Sequence, residues 1–225
     1  MAEVAKQGFS TETHWEMAAK TRMGKYLTQV ETKFIQDSIS LTSLNTVMDV
    51  GAEAGRFSQL NSNPETISID IDPYGLKRLR LKTKNIVAIQ ADARKIPVRN
   101  ETLDTIFMIE VLDYIPELDQ AFMEAYRTLK PNASLILSFG NKSSLKAKLR
   151  QLTGKSYQHS YAHIIHTLNK IGFQIKRKTG YNWLLFGRTS QNILIPTLSK
   201  LERIIGLRRI PSLSPWVIIH VVKPM

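Results

Sequence analysis

Five short apolar runs follow one another between residues 46 and 139: TVMDV, TISIDI, NIVAIQA, LDTIFMI and SLILSF. They are short and mostly apolar, so each reads as a strand buried on both faces. A glycine turn and a short helix follow the first run. PYGLKRLRL, with Pro73 suited to a first helical turn, follows the second, and a helix from about Glu117 to Leu129 follows the fourth. Buried strands separated by helices predict an α/β fold. Its sheet is parallel, covered by helices on both faces, with right-handed crossovers.

The flanks have a different rhythm. Residues 11–38 show apolar side chains at helical spacing, interrupted near Gly24. HIIHTLNKIGF reads as a helix ending at Gly172, and FQIKRKTGY and WVIIHVV read as two late strands. Between those strands lie Pro196, Pro211, Pro215 and the basic stretch IPTLSKLERIIGLRRI. The division expected is an N-terminal helical cap over residues 1–40 and a main domain over 41–225. A basic cap insertion is expected at about 184–214. No apolar run approaches the ~18–20 residues that span a bilayer, so no transmembrane segment is expected. The first residues lack the apolar core of a secretory signal. The absence of cysteine excludes disulfides, thiolate metal sites and a cysteine nucleophile. It fits a cytoplasmic location, and no metal site is expected.

Charge is unevenly placed. Residues 1–140 hold 16 Lys/Arg and 18 Asp/Glu, whereas residues 141–225 hold 15 Lys/Arg and a single acid, Glu202. The last part is therefore either a basic solubilising surface or a docking face for anions: a phosphate-bearing substrate, anionic lipid or nucleic acid. In LSKLERIIGLRRI, Leu198, Leu201, Ile204 and Ile205 share one side, and Lys200, Arg203, Arg208 and Arg209 lie elsewhere. That pattern fits a core-packed helix with a solvated basic face. It also fits a helix lying on an anionic membrane.

The turn after the first strand reads VMDVGAEAGRF. Ligands of open α/β sheets bind at the carboxyl ends of the strands, so this turn is the place to look. A dinucleotide fingerprint fails, because its second and third glycines fall on Glu53 and Arg56. No Gly-Lys-Ser/Thr follows for a phosphate loop. Glu53 would repel a pyrophosphate, whereas a nucleoside bearing a sulfonium and an ammonium tolerates nearby acids.

At these residues the chain resembles the class I S-adenosylmethionine-dependent methyltransferases, in the small-molecule group called methyltransferase type 11. The resemblance covers about residues 45–140 well and the remainder loosely. Asp49, Gly51 and Gly55 match the family's acid and glycine turn, with Glu53 in place of the middle glycine. Asp70, closing SID, matches the acid that binds the ribose hydroxyls, with Ile71 beside it. Asp72 stands where a helix cap is usual. Asp92 in QADARKIPV would accept from the adenine amine, with Ala93 nearby. In LDTIFMIEVLDYIP, the strand end from Met108 through Ile109 to Glu110 would flank the methionine portion. EAYRTLKPNASLILS matches a further segment, with Asn132 and Ala133 replacing its glycines. The resemblance implies a Rossmann-like, seven-stranded, mostly parallel sheet with helices on both faces and the last strand antiparallel. It also implies S-adenosyl-L-methionine as cofactor.

Methyl transfer needs alignment of donor and acceptor and exclusion of water. A base helps when the acceptor must lose a proton. Candidates are Glu110 and Tyr114 after the fourth strand, and the cluster Tyr157, His159, Tyr161 and His163. A reaction with no dedicated base is equally open. The Asn/Asp-Pro-Pro-aromatic loop of exocyclic amine methylation is missing from MIEV. The expected reaction is methylation of O or N on a small metabolite or a glycan or lipid precursor, and the expected partner is a small-molecule acceptor, anionic or lipid-linked in one reading. Alternatives are an RNA methyltransferase, from the basic C-terminal part, and a non-catalytic scaffold that keeps the fold. Trp15, Tyr26, Trp183 and Phe186 are expected either to line the acceptor pocket or to anchor its covers.

Overall fold

The computed structural model describes residues 12–39, 46–60, 66–151 and 158–225. Its centre is a seven-stranded sheet of β1 (Val47–Val50), β2 (Thr66–Asp70), β3 (Ile86–Gln90), β4 (Leu103–Ile109), β5 (Leu129–Gly140), β6 (Gln174–Tyr181) and β7 (Trp216–Val222). The strand order is β3-β2-β1-β4-β5-β7-β6. β1 to β5 pair in parallel, and β7 runs antiparallel to both β5 and β6. The expected sheet is thus the observed one. The order reverses beside β1, where β2 lies on one side and β4 on the other, which opens a crevice at the carboxyl ends of these strands.

The period of two along each central strand feeds two cores. On β4, Ile106 and Met108 point to the face covered by α4 (Leu118–Thr128) and α6 (Tyr161–Ile171), where Phe122, Ile164 and Leu168 are buried. Phe107 and Ile109 point to the other face. There Met23, Leu27 and Phe34 of α2 (Arg22–Ser38) and Ile195 of α7 (Ile195–Ile204) close the core. Outside β2 and β3, α3 (Pro73–Lys82) packs Leu76 and Leu79 against Ala88.

Several local readings hold. Asp72 caps α3 by accepting from the Tyr74 N–H at 2.9 Å, with Pro73 next. Gly172 ends α6 in the left-handed region at φ 109°. Asn132 turns at φ 63°.

Three readings need correction. The N-terminal helix breaks at Thr21 rather than near Gly24, giving α1 (His14–Lys20) and then α2. Thr21 ends α1 and caps α2, its hydroxyl accepting from the Gly24 N–H at 3.0 Å. Gly24 itself is helical. It is small because α1 passes over it: a Cβ there would stand 2.0 Å from the Ala18 carbonyl oxygen. The short helix expected after β1 is a chain of turns through residue 59. Gly51, Glu53 and Gly55 all take positive φ, which no right-handed helix accommodates. Finally, α5 (Leu145–Gln151) follows β5 where no helix was expected.

Candidate functional site

The carboxyl ends of β1, β2 and β4 and the residues just after β3 border one cavity of about 840 Å³, covered on one side by α1. Its floor is the turn after β1. The N–H groups of Gly51 and Ala52 both donate to the Ile69 carbonyl, at 2.8 and 3.1 Å, which ties this turn to β2. At Gly51, φ is 71° and a Cβ would meet the Val111 side chain at 2.3 Å, so no larger residue fits without moving Val111. Glu53 occupies φ 47° despite its side chain. Its N–H donates to Asp70 Oδ2 at 2.8 Å, and burial raises its carboxyl above the ordinary value.

Asp70 ends β2 at the cavity wall. Its two oxygens accept from the backbone N–H groups of Glu53 (2.8 Å) and Asp72 (2.9 Å), which fixes the carboxylate's orientation. Each carboxylate oxygen has a further lone pair. Ile71 follows, strongly exposed at the rim, and Ala93 lines the opposite side after β3. Asp92 also borders the cavity, but Arg94 grips both its oxygens, at 2.6 to 3.0 Å, and keeps it ionised. Asp49 is buried in the floor and accepts from Ser58 at 2.6 Å; burial pushes its carboxyl up to about 6.

Ile109 and Glu110, at the end of β4, form the inner wall. Glu110 has φ 59°, a strained conformation of the kind that gathers at functional sites. Burial would raise its carboxyl, but Arg56 at 2.9 Å and Arg188 at 2.5 Å overcome burial and hold it well below the usual range. Glu31 of α2 lies behind, fully buried and accepting from the Tyr181 hydroxyl at 2.6 Å. Burial and then Glu110's charge raise its carboxyl, so Glu31 holds a proton where Glu110 does not. With Glu31 neutral, Glu110 is the one carboxylate facing the two guanidiniums, so this cluster of four ionisable groups is net positive.

The three candidate bases separate. Tyr114 stands at the cavity mouth, largely exposed, with its phenol raised by partial burial. Glu110 is in the wall and committed to two arginines. His159 does not border the cavity: its Nε2 lies 3.1 Å from the Leu112 carbonyl oxygen and its ring stacks on His163. Tyr157 lies outside the described residues. Of the four aromatic residues expected either to line an acceptor pocket or to anchor its covers, Trp15 borders the cavity and Arg188 stacks on it at 4.4 Å. Tyr26 does not border it: it is buried and donates to Glu202 of α7, the anchoring alternative.

Sequence reasoning gave no role to Arg188, Glu31 or Glu16. Glu31 carried a signal, since it lies four residues from both Leu27 and Ile35 on the buried face of α2. Arg188 carried none, being brought in from a loop. Eight acids and five bases border the cavity, which suits a ligand with cationic groups better than a polyphosphate. Among the described residues, no group of three or more His, Asp or Glu could hold a metal.

Residues 48–137 match the family model described as a methyltransferase domain. An uncharacterized methyltransferase-like protein of Schizosaccharomyces pombe is 29% identical over 114 residues, covering 49% of this chain and 44% of that protein. The 24-methylenesterol C-methyltransferase 2 of Arabidopsis thaliana is 21% identical over 199 residues, 79% of this chain and 55% of that protein. The chain thus spans about half the length of these relatives. In fold, it is similar to the N-methyltransferase NodS of Bradyrhizobium japonicum, solved with S-adenosyl-L-homocysteine. The TM-score is 0.67 at 14% identity, over 96% of this chain and 95% of that one.

Proposed function

We propose that this chain, which belongs to the class I S-adenosylmethionine-dependent methyltransferases, methylates an oxygen or nitrogen of a small metabolite or of a glycan or lipid precursor. The observation that carries the reading is Asp70, a carboxylate oriented by two backbone N–H groups at the wall of a cavity large enough for a nucleoside. Such an acceptor suits a ribose diol, since it can take a proton from each hydroxyl. The Gly51 turn would leave space for the amino-acid portion, and Ile71 and Ala93 would flank the base. Asp92 would accept from the adenine amine while sharing its oxygens with Arg94. S-adenosylmethionine supplies an electrophilic methyl on a sulfonium.

The protein's own part is alignment and exclusion of water. Glu110 is held ionised but is a weak base, because two guanidiniums stabilise its charge. Tyr114, raised above its ordinary value, stays protonated at neutral pH and orients an acceptor rather than deprotonating it. We therefore assign no dedicated base.

Calorimetry with S-adenosylmethionine tests this reading. Wild type binds, and Asp70→Ala binds at least tenfold more weakly, since hydrogen bonds to a charged acceptor contribute about 1.5–3 kcal/mol each. Circular dichroism confirms that the variant is folded. Unaltered affinity in a folded Asp70→Ala protein rejects the assignment.

A further inference from the structure

α7 turns one face to the protein. Ile195 and Glu202 are buried and Leu198 packs on the α2 core, at the spacing of a single helical face. One edge of that face is apolar and open to solvent, continuing the helical line of Leu198: it holds Leu194, Leu201 and Ile205, with Ile204 beside them. All four are exposed, at 47–67%. The expectation of a core-packed apolar side therefore holds for Leu198 and fails for the other three residues of that set. Lys200 and Arg203 run along the other edge, and Arg209 follows in the next turn. None of these three cations forms an ion pair among the described residues. The region's single acid, Glu202, is buried and satisfied by Tyr26 and Arg208.

Charge complementarity selects the occupant. A second copy of this chain would bring the same unpaired cations against each other. A nucleic acid would take the cations but leave the Leu/Ile stripe in water. An anionic bilayer accepts both, with apolar side chains at the headgroup–acyl boundary and Lys and Arg at the level of the phosphates. We propose that α7 and the turn after it dock on a bilayer rich in anionic lipid, with Leu201, Ile204 and Ile205 entering the boundary. The docking helix is joined to the cleft, because the segment leading into it carries Arg188, the partner of Glu110. The inference goes beyond methyl transfer and does not depend on it. No described helix is long and apolar enough to cross a membrane, so contact here lies in the surface plane.

Sedimentation with vesicles tests it, comparing phosphatidylcholine alone with phosphatidylcholine–phosphatidylserine mixtures at physiological salt. Wild type is expected to bind the mixed vesicles at least about tenfold better than the neutral ones. Ile204→Ser/Ile205→Ser and Lys200→Glu/Arg203→Glu each reduce that binding about tenfold or more. These side chains are exposed, so both variants should fold. Failure of wild type to sediment with mixed vesicles overturns the proposal. So does loss in the charge variant alone, which marks simple electrostatic adsorption. Light scattering that shows a dimer, made monomeric by Ile204→Ser/Ile205→Ser, also overturns it in favour of self-association.

Discussion

His220 lies within β7 with its Nε2 2.9 Å from the Ser134 hydroxyl, almost out of contact with water. Burial, then the charges of Arg177 and Lys176, push the imidazole down to about 4. Its folded value is below its unfolded one, so the folded protein binds fewer protons in this window. The stability is therefore complete above about 6.5 and falls as pH drops from 6.5 toward 4, by about 2 kcal/mol after allowance for residual solvation. Asp49 works in the opposite direction. Its carboxyl is raised to about 6 by burial, so its contribution is full at low pH and lost as pH rises through 6. Comparing variant with wild type isolates the histidine. In urea unfolding, His220→Gln should lose less stability than wild type between pH 7 and pH 4.5; parallel losses would contradict the assignment.

At the scale of an element, α1 acts as a strap over the cavity. Seven residues are too few for a helix to persist alone. Two devices hold it. Thr13 and Glu16 form a capping box, and the Glu16 carboxylate receives Arg78 (3.1 Å) and Lys82 (2.6 Å) from α3. Burial opposes ionisation of Glu16, yet those two cations draw it down to about 2. The stability from this contact is therefore present above about 4.5 and lost as pH falls toward 2. Glu16→Gln keeps the shape and removes the charge. Hydrogen exchange of α1 amides should then accelerate roughly tenfold, equivalent to about 1–2 kcal/mol of local opening energy, while the central strands exchange as before. Equal protection of α1 in both proteins would show that the strap does not depend on this contact.

At the scale of the whole molecule, one buried carboxylate ties α7 to α2 and to the segment after β6. Glu202 of α7 accepts from the Tyr26 hydroxyl of α2 at 2.8 Å, from the Trp183 backbone N–H at 3.1 Å and from Arg208 at 2.8 Å. Removing it leaves a guanidinium and a phenol with fewer partners in a poorly solvated place. Glu202→Leu is expected to lower stability by about 3–5 kcal/mol and Glu202→Gln by less, read as thermal midpoints, with early proteolysis near residues 183–213. If Glu202→Leu melts with wild type, α7 is held by its apolar contacts alone.

The sequence by itself determined the parallel part of the sheet, β1 to β5, because short apolar runs separated by helical patterns dictate parallel crossovers; the antiparallel end followed from the family resemblance. It also placed Asp70, the glycine turn and the Asp72 cap, since strand ends and caps are local features read from consecutive residues. Only the tertiary structure decided what is non-local. Arg188 meets Glu110 across 78 positions, Glu31 faces the same cluster from α2, and Arg94 occupies Asp92. His159, a plausible base by residue type, was carried away from the cavity. The amphipathic pattern of α7 likewise could not say which face is covered, because periodicity orders side chains around an axis and only the packing of α7 on α2 fixes how that axis is turned.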